Sequence, residues 1–160
     1  MDKDSLLSNI MAERAEWDEL IDRVGPERME IPDVTGSWSV KDVIAHIMWF
    51  EREMIGVARA HALIGSSLWN LPQAERNEAV YEEFREMPLE QVLDEARQTY
   101  AQLLVALRDL DEADLNDTSR FRDMPAEWLP WQVIAGNTYE HYRAHVPDVR
   151  AWLARRGDGG

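Results

Sequence analysis

Apolar side chains recur at the spacing of an α-helix in four long stretches of the chain, and this pattern limits the fold more than any other feature of the sequence. The first stretch ends at Gly25 and Pro26, a pair that breaks helices. In the second, Ser39 and Asp42 have the spacing of a capping box, which predicts a helix start there, and Gly65 is a plausible stop.

The third and fourth stretches each begin at a proline, Pro88 and Pro130, a residue suited to the first turn of a helix. Between the second and third stretches, residues 77–85 are predicted to form a short helix. No segment is typical of a strand. The sequence therefore predicts an all-α four-helix bundle with an additional short helix in the second-to-third helix connection. The connectivity is either up-and-down or a variant with crossover loops.

Length and composition exclude several classes of protein. A chain of 160 residues is the size of one domain, so we expect residues 1–160 to form a single unit. Its net charge of −14 repels nucleic acids and anionic membranes, and neither is expected as a partner. The absence of cysteine rules out disulfides, thiolate ligands and a cysteine nucleophile. The charged first helix is unlike a signal peptide, so we expect the protein to be cytoplasmic.

The fourth stretch, residues 131–153, contains two histidines one helical turn apart. If it is a single helix, His141 and His145 share a face with apolar residues such as Ile134 and Val149. The two imidazoles then point towards the core and need a partner there.

His46 is the best-placed partner because it lies beside the apolar face of the second helix. His61 follows it on the same helix by about 22 Å, too far to share one ion. Three converging imidazoles would bind a divalent metal and leave positions open for water or substrate, as in catalytic zinc sites, and imidazole also suits nickel or iron.

Two other interpretations of the histidines were compared with the metal site. Histidines at the edge of a core also bind the backbone or a tyrosine, and the spacing alone leaves this alternative open. A carboxylate-bridged di-iron site requires a Glu three residues before a histidine, and no histidine in the chain has one.

Two runs of sequence resemble the DinB-like superfamily of four-helix bundles. They are WSVKDVIAHIMWFE, which contains Trp38, Lys41, Asp42 and His46, and NTYEHYRAHVPDVRAWL. The resemblance covers nearly the whole chain. Residues 76–110, with Asn77 and a helix start at Pro88 and Leu89, are most similar to the ClbS/DfsB branch.

The resemblance implies a metal held by His46 on the second helix and by the His141 and His145 pair on the last. It also implies a function in a stress or resistance response, and a homodimer. Superfamily members include transferases and isomerases that use a low-molecular-weight thiol such as mycothiol or bacillithiol. The ClbS-type branch includes self-resistance proteins that open a reactive cyclopropane, and these do not always require a metal.

Several polar residues are candidates for the chemistry around such a site. Glu51, Asn137 and Glu140 lie within about one turn of a histidine and are candidates to orient the imidazoles. Tyr142, Asn137 and Glu51 are the candidate catalytic residues. Each charged candidate can equally be a solvated surface residue.

The two long loops contain candidates for a ligand pocket. Trp69 and Trp128 are placed to line its rim, whereas Arg120 and Arg122 either bind an anionic ligand or form surface ion pairs. Pro147 removes an amide donor from the last helix, so a kink is expected there, with consequences for His145.

Three functions follow from these observations. The first is a metal-dependent transferase, isomerase or hydrolase that acts on a small electrophilic metabolite with zinc or nickel, and with a low-molecular-weight thiol if the reaction needs one. The alternative is a metal-independent binding or self-resistance protein of the ClbS type, with His141 or Tyr142 as acid or base. The third is a bundle without chemistry that serves as a dimerising scaffold.

Overall fold

The computed structural model describes residues 1–157 and contains seven α-helices. They are α1 (Lys3–Val24), α2 (Val40–Ala60), α3 (Gln73–Phe84), α4 (Leu89–Asp109), α5 (Glu112–Asn116), α6 (Pro130–Gly136) and α7 (Tyr139–Arg155). Within residues 1–157 there are two isolated β-bridges and no strand. The predicted all-α fold with a short helix between the second and third long helices is confirmed, and that short helix is α3.

The long helices begin and end largely where the local sequence requires. The Asp2 carboxylate accepts a hydrogen bond from the Ser5 amide at the start of α1, which ends at Gly25. Ser39 and Asp42 form the predicted capping box of α2. The predicted end of α2 near Gly65 is wrong, because His61 adopts a left-handed conformation with φ of 45° and closes the helix after Ala60.

Helices α1, α2, α4 and α7 form the bundle. The main packing partner of α2 is α4, and that of α1 is α7; contacts of α2 with α7 and of α1 with α4 close the bundle. Helices α1 and α2 are consecutive in the chain but are not principal packing neighbours. The connectivity is therefore the crossover variant. No helix within residues 1–157 is long and apolar enough to cross a lipid bilayer.

The segment 131–153 is not the single helix expected from its sequence. It divides into α6 and α7 at Asn137 and Thr138, where Thr138 has φ of −129° and ψ of −101°. The side-chain amide of Asn137 donates to the Val133 carbonyl at 2.8 Å, and the Thr138 hydroxyl donates to the Ile134 carbonyl at 2.7 Å; each acceptor lies four residues earlier. These side chains compete with the backbone amides for the same carbonyls, which ends the helix.

Pro147 does not break α7, whose helical bounds extend through it from Tyr139 to Arg155. The interruption of the last segment therefore lies before His141 rather than after His145. Both histidines are on the same continuous helix.

Candidate metal centre

Three histidines from two helices converge at one point in the bundle. The Nε2 atom of His141 lies 3.0 Å from that of His46 and 2.9 Å from that of His145. All three ligand atoms are within 4.8 Å of one another. Helix α2 provides His46, and the first two turns of α7 provide the other two. The structure thus brings together the three histidines that the sequence singled out.

Ordinary two-centre hydrogen bonds cannot account for both contacts of His141. An imidazole nitrogen carries either one proton or one lone pair, so Nε2 of His141 cannot donate to one neighbour and accept from the other. One divalent ion can accept the lone pairs of all three nitrogens. Bonds of about 2.0–2.1 Å hold two nitrogens no more than about 4.2 Å apart, and the separations of His141 from His46 and from His145, 3.0 and 2.9 Å, are within this limit.

The surroundings keep these histidines neutral, which is the form that binds metals. Burial lowers the pKa of His46 to about 3, and the nearby charges of His145 and Arg76 act in the same direction. Burial and the two neighbouring histidines lower the pKa of His141 to about 2. Burial also lowers the pKa of His145, although the Asp148 carboxylate opposes the shift.

Aromatic rings enclose one side of the cluster. The ring centroid of Phe50 is 4.8 Å from that of His46 and 4.5 Å from that of His141. The ring centroid of Trp38 is 5.2 Å from that of His46, and Trp38 also stacks on Tyr81 of α3 at a centroid distance of 6.0 Å. These rings exclude water from the buried side of the imidazoles and fix their orientation.

Contrary to the prediction, Glu51 does not accept a hydrogen bond from a histidine. It is only 1% exposed, and its Oε1 atom accepts hydrogen bonds from Arg14, at 2.9 Å, and from the Tyr142 hydroxyl. Tyr142 is also fully buried. These two candidate catalytic residues therefore face Arg14 on α1, and no hydrogen bond joins them to the histidines within residues 1–157.

The other candidates to orient the imidazoles are also engaged elsewhere. The Asn137 side chain donates to the Val133 carbonyl, and Glu140 is exposed. The Nδ1 atoms of His46 and His141 are buried and have no hydrogen-bond partner within residues 1–157. The structure therefore shows no protein acceptor for these two imidazole N–H groups.

A cavity of about 630 Å³ lies along α2 and α6, and none of the three histidines lines it. Its lining includes Met54, one turn beyond Phe50, and Asn137, one turn before His141. Trp69 and Trp128 both line it, which confirms the prediction that they border a pocket. Trp69 also contacts Phe50 at 5.5 Å, and Phe50 contacts His46 and His141, so these rings connect the cavity wall to the cluster.

Arg120 is a surface ion-pair residue, as one of the two interpretations predicted. It pairs with Asp111 at 2.7 Å and with Asp114 at 3.2 Å, and Arg122 is exposed. A different arginine, Arg76 of α3, lies close enough to His46 to lower its pKa. Sequence reasoning missed Arg76 because, among the charges of α3, it has no distinguishing pattern.

The fold and the cluster define a class of protein: helical bundles in which three histidines from two helices can hold a metal ion. The sequence pattern of the DinB superfamily matches residues 9–153, and the chain belongs to this superfamily.

A structural neighbour agrees with this assignment. The crystal structure of an uncharacterised protein from Escherichia coli UTI89 superimposes with a TM-score of 0.79 at 14% sequence identity. The match covers 98% of this chain and 95% of that one, and it shows a common fold. No curated protein matches the chain.

Proposed function

We propose that this protein is a metal-dependent enzyme that acts on a small electrophilic metabolite, with zinc or nickel held by His46, His141 and His145. The convergence of the three Nε2 atoms carries the proposal. Three protein ligands leave further coordination positions for water or substrate, as in catalytic rather than structural zinc sites.

A divalent ion bound here would supply Lewis acidity and would make a water molecule or a thiol a stronger acid near neutral pH. The protein's own residues prepare the site for this chemistry. Burial keeps the histidines neutral, Trp38 and Phe50 pack against His46, and half-buried His141 and His145 leave the site accessible to a ligand. Transfer, isomerisation and hydrolysis all fit such a site, and a thiol would come from a small cofactor because the chain has no cysteine.

The ClbS-type alternative has less support because Tyr142, one of its two candidates for the acid or base, is fully buried and bonded to Glu51. Burial and the neighbouring Glu51 carboxylate raise the pKa of Tyr142 well above its usual value, so the hydroxyl is a weaker acid and stays protonated near neutral pH, which leaves no phenolate to act as a base. A metal-free reaction would therefore depend on the histidines alone.

Metal analysis of the purified protein tests the proposal. After reconstitution with zinc or nickel, we expect about one ion per chain, and His46→Ala should abolish this stoichiometric binding. The matched control is His61→Asn, because Asn tolerates the left-handed conformation of this cap residue. Stoichiometric metal in His46→Ala, or none in the wild type, would refute the three-histidine site.

A further inference from the structure

Arg76 lies near the histidine cluster and has no charged partner among the residues that the structure describes. Its guanidinium covers the ring of Trp69, with Cζ 4.7 Å from the ring centroid. No carboxylate within residues 1–157 forms an ion pair with it, although the protein has 31 acidic residues. The Nε atom of Arg76 is buried and has no hydrogen-bond partner in this part of the chain. A buried donor without a partner costs free energy unless a ligand satisfies it.

One edge of the Arg76 guanidinium has no acceptor within the described chain. Its Nη1 atom makes a long contact of 3.5 Å with the Leu71 carbonyl. Neither Nε nor Nη2 donates to a residue of the described chain. These two groups form the planar fork that binds both oxygens of a carboxylate.

Trp69 positions the Arg76 guanidinium near the candidate metal centre. The indole Nε1 donates to the Glu53 carboxylate at 2.6 Å, and the Ser66 amide donates to the same oxygen at 2.8 Å. Glu53 therefore fixes the ring on which Arg76 rests. From Trp69 the contacts continue through Phe50 to His141.

Helix α3 provides a second contact with the same region. Tyr81, five residues after Arg76, stacks on Trp38, which packs against His46. The positive charge of Arg76 also reaches His46 and helps to lower its pKa. Helix α3 thus places a cation at the border of a site whose three ligands are neutral.

We propose that Arg76 binds a carboxylate of the substrate, so that the substrate class is a small electrophile that carries a carboxylate group. The substrate assignment rests on the proposed function at the histidines, whereas binding of a carboxylate by Arg76 does not. Arg76 acts as a specificity residue, and its fork positions the molecule next to the histidines.

Nuclear magnetic resonance of the arginine Nε–Hε groups tests this proposal directly. The Arg76 signal in ¹⁵N-labelled, metal-free protein is assigned by its loss in Arg76→Lys. Titration with succinate should shift this signal until the shift reaches a plateau, whereas the uncharged analogue succinamide should leave it unchanged. The proposal fails if succinate causes no saturable shift of the Arg76 signal, or if succinamide shifts it equally.

Variants give an independent measure of the same contact. Arg76→Gln should weaken succinate binding by about ten-fold or more, since a hydrogen-bonded charge pair is lost. Arg76→Lys should retain part of the affinity and controls for misfolding. The matched control is Arg59→Gln, which removes an exposed charge from the end of α2 and should leave the affinity unchanged. Unchanged affinity in Arg76→Gln would overturn the proposal.

Metal content measured on the same samples separates the two proposals. Succinate binding at Arg76 in a protein that never binds zinc or nickel would reject the proposed function alone. If the protein binds metal stoichiometrically but binds succinate in neither its metal-free nor its zinc-loaded form, only the proposal for Arg76 is rejected.

Discussion

Glu51 is a buried carboxylate whose partners are an arginine and a tyrosine. Burial raises its pKa, and the Arg14 guanidinium opposes this shift. The pKa of Arg14 is raised in turn by the Glu51 charge, despite burial. Arg14 also binds Asp18 at 2.8 Å and covers the ring of Tyr100 at 4.2 Å. This geometry indicates that the group formed by Arg14, Glu51 and Tyr142 stabilises the packing of α1, α2 and α7.

Substitutions in this group should change stability and leave metal binding intact. Glu51→Ala leaves Arg14 buried without its carboxylate and should lower the free energy of unfolding by about 3–5 kcal/mol. Tyr142→Phe removes one hydrogen bond and should cost about 1–2 kcal/mol. Urea denaturation measures both effects. The double variant Arg14→Met with Glu51→Met should lose less free energy of unfolding than the sum of the losses of Arg14→Met and Glu51→Met measured separately. A loss of metal without a loss of stability would instead place Glu51 or Tyr142 in the catalytic site.

Gly65 allows Glu53 and Trp69 to meet. A Cβ atom added at Gly65 would lie 2.3 Å from the Glu53 carboxylate and 2.7 Å from Trp69. Gly65→Ala should therefore separate the two side chains, change tryptophan fluorescence and lower stability by about 1–2 kcal/mol. Gly56→Ala is the matched control: no atom lies within 4 Å of its added Cβ, so in the interior of α2 it should stabilise by about 0.5–1 kcal/mol. Equal effects of the two changes would contradict this function of Gly65.

At the level of the helices, Pro147 is an exposed interior residue of α7 that leaves the Arg143 carbonyl without its amide donor. Pro147→Ala restores this donor. Because proline in a helix interior is about 3 kcal/mol worse than alanine, and part of this is offset in the unfolded chain, we expect a stabilisation of about 1–2 kcal/mol. Thermal unfolding measures it, and metal affinity should not change. Weaker metal binding in Pro147→Ala would show that the proline positions His145.

The helices follow from the periodicity of apolar residues, whereas the break before His141 does not. Helical periodicity and the capping box at Ser39 specified the bundle and the start of α2. Periodicity gives no signal for the break, because it depends on which carbonyls the Asn137 and Thr138 side chains bind. The three histidines were identifiable because histidine is scarce and the resemblance gave them a pattern. Arg76 was not, because its importance comes only from the packing of α3 against Trp69.

At the level of the whole molecule, the binding region differs in charge from the rest of the protein. The chain carries −14 overall, yet the three clustered histidines are neutral and a partly buried arginine lies beside them without a carboxylate partner among residues 1–157. A divalent ion would make this region locally positive. Anionic small molecules would then be attracted to the site, although the protein as a whole repels them.

The stability of the metal-free protein should depend on pH through the histidine cluster. In the folded state the pKa values of His46 and His141 are about 3 and about 2, and that of His145 is also lowered. In the unfolded chain all three return to about 6.5. As the pH falls below about 6.5, the unfolded state binds protons that the folded state does not, so the free energy of unfolding decreases.

Each histidine contributes at most about 1.4 kcal/mol per pH unit, and the measurement is urea denaturation of chelated protein between pH 7 and pH 5.5. The raised pKa of Glu51 acts with the opposite sign, since it favours the folded state as the pH falls. His46→Gln removes one histidine and retains Glu51, so its stability should fall less steeply with decreasing pH than that of the wild type. Excess zinc should stabilise the wild type more at pH 7 than at pH 5.5, because protons and the metal compete for the same nitrogens. Equal pH slopes for the wild type and His46→Gln would mean that His46 is not neutral in the folded cluster.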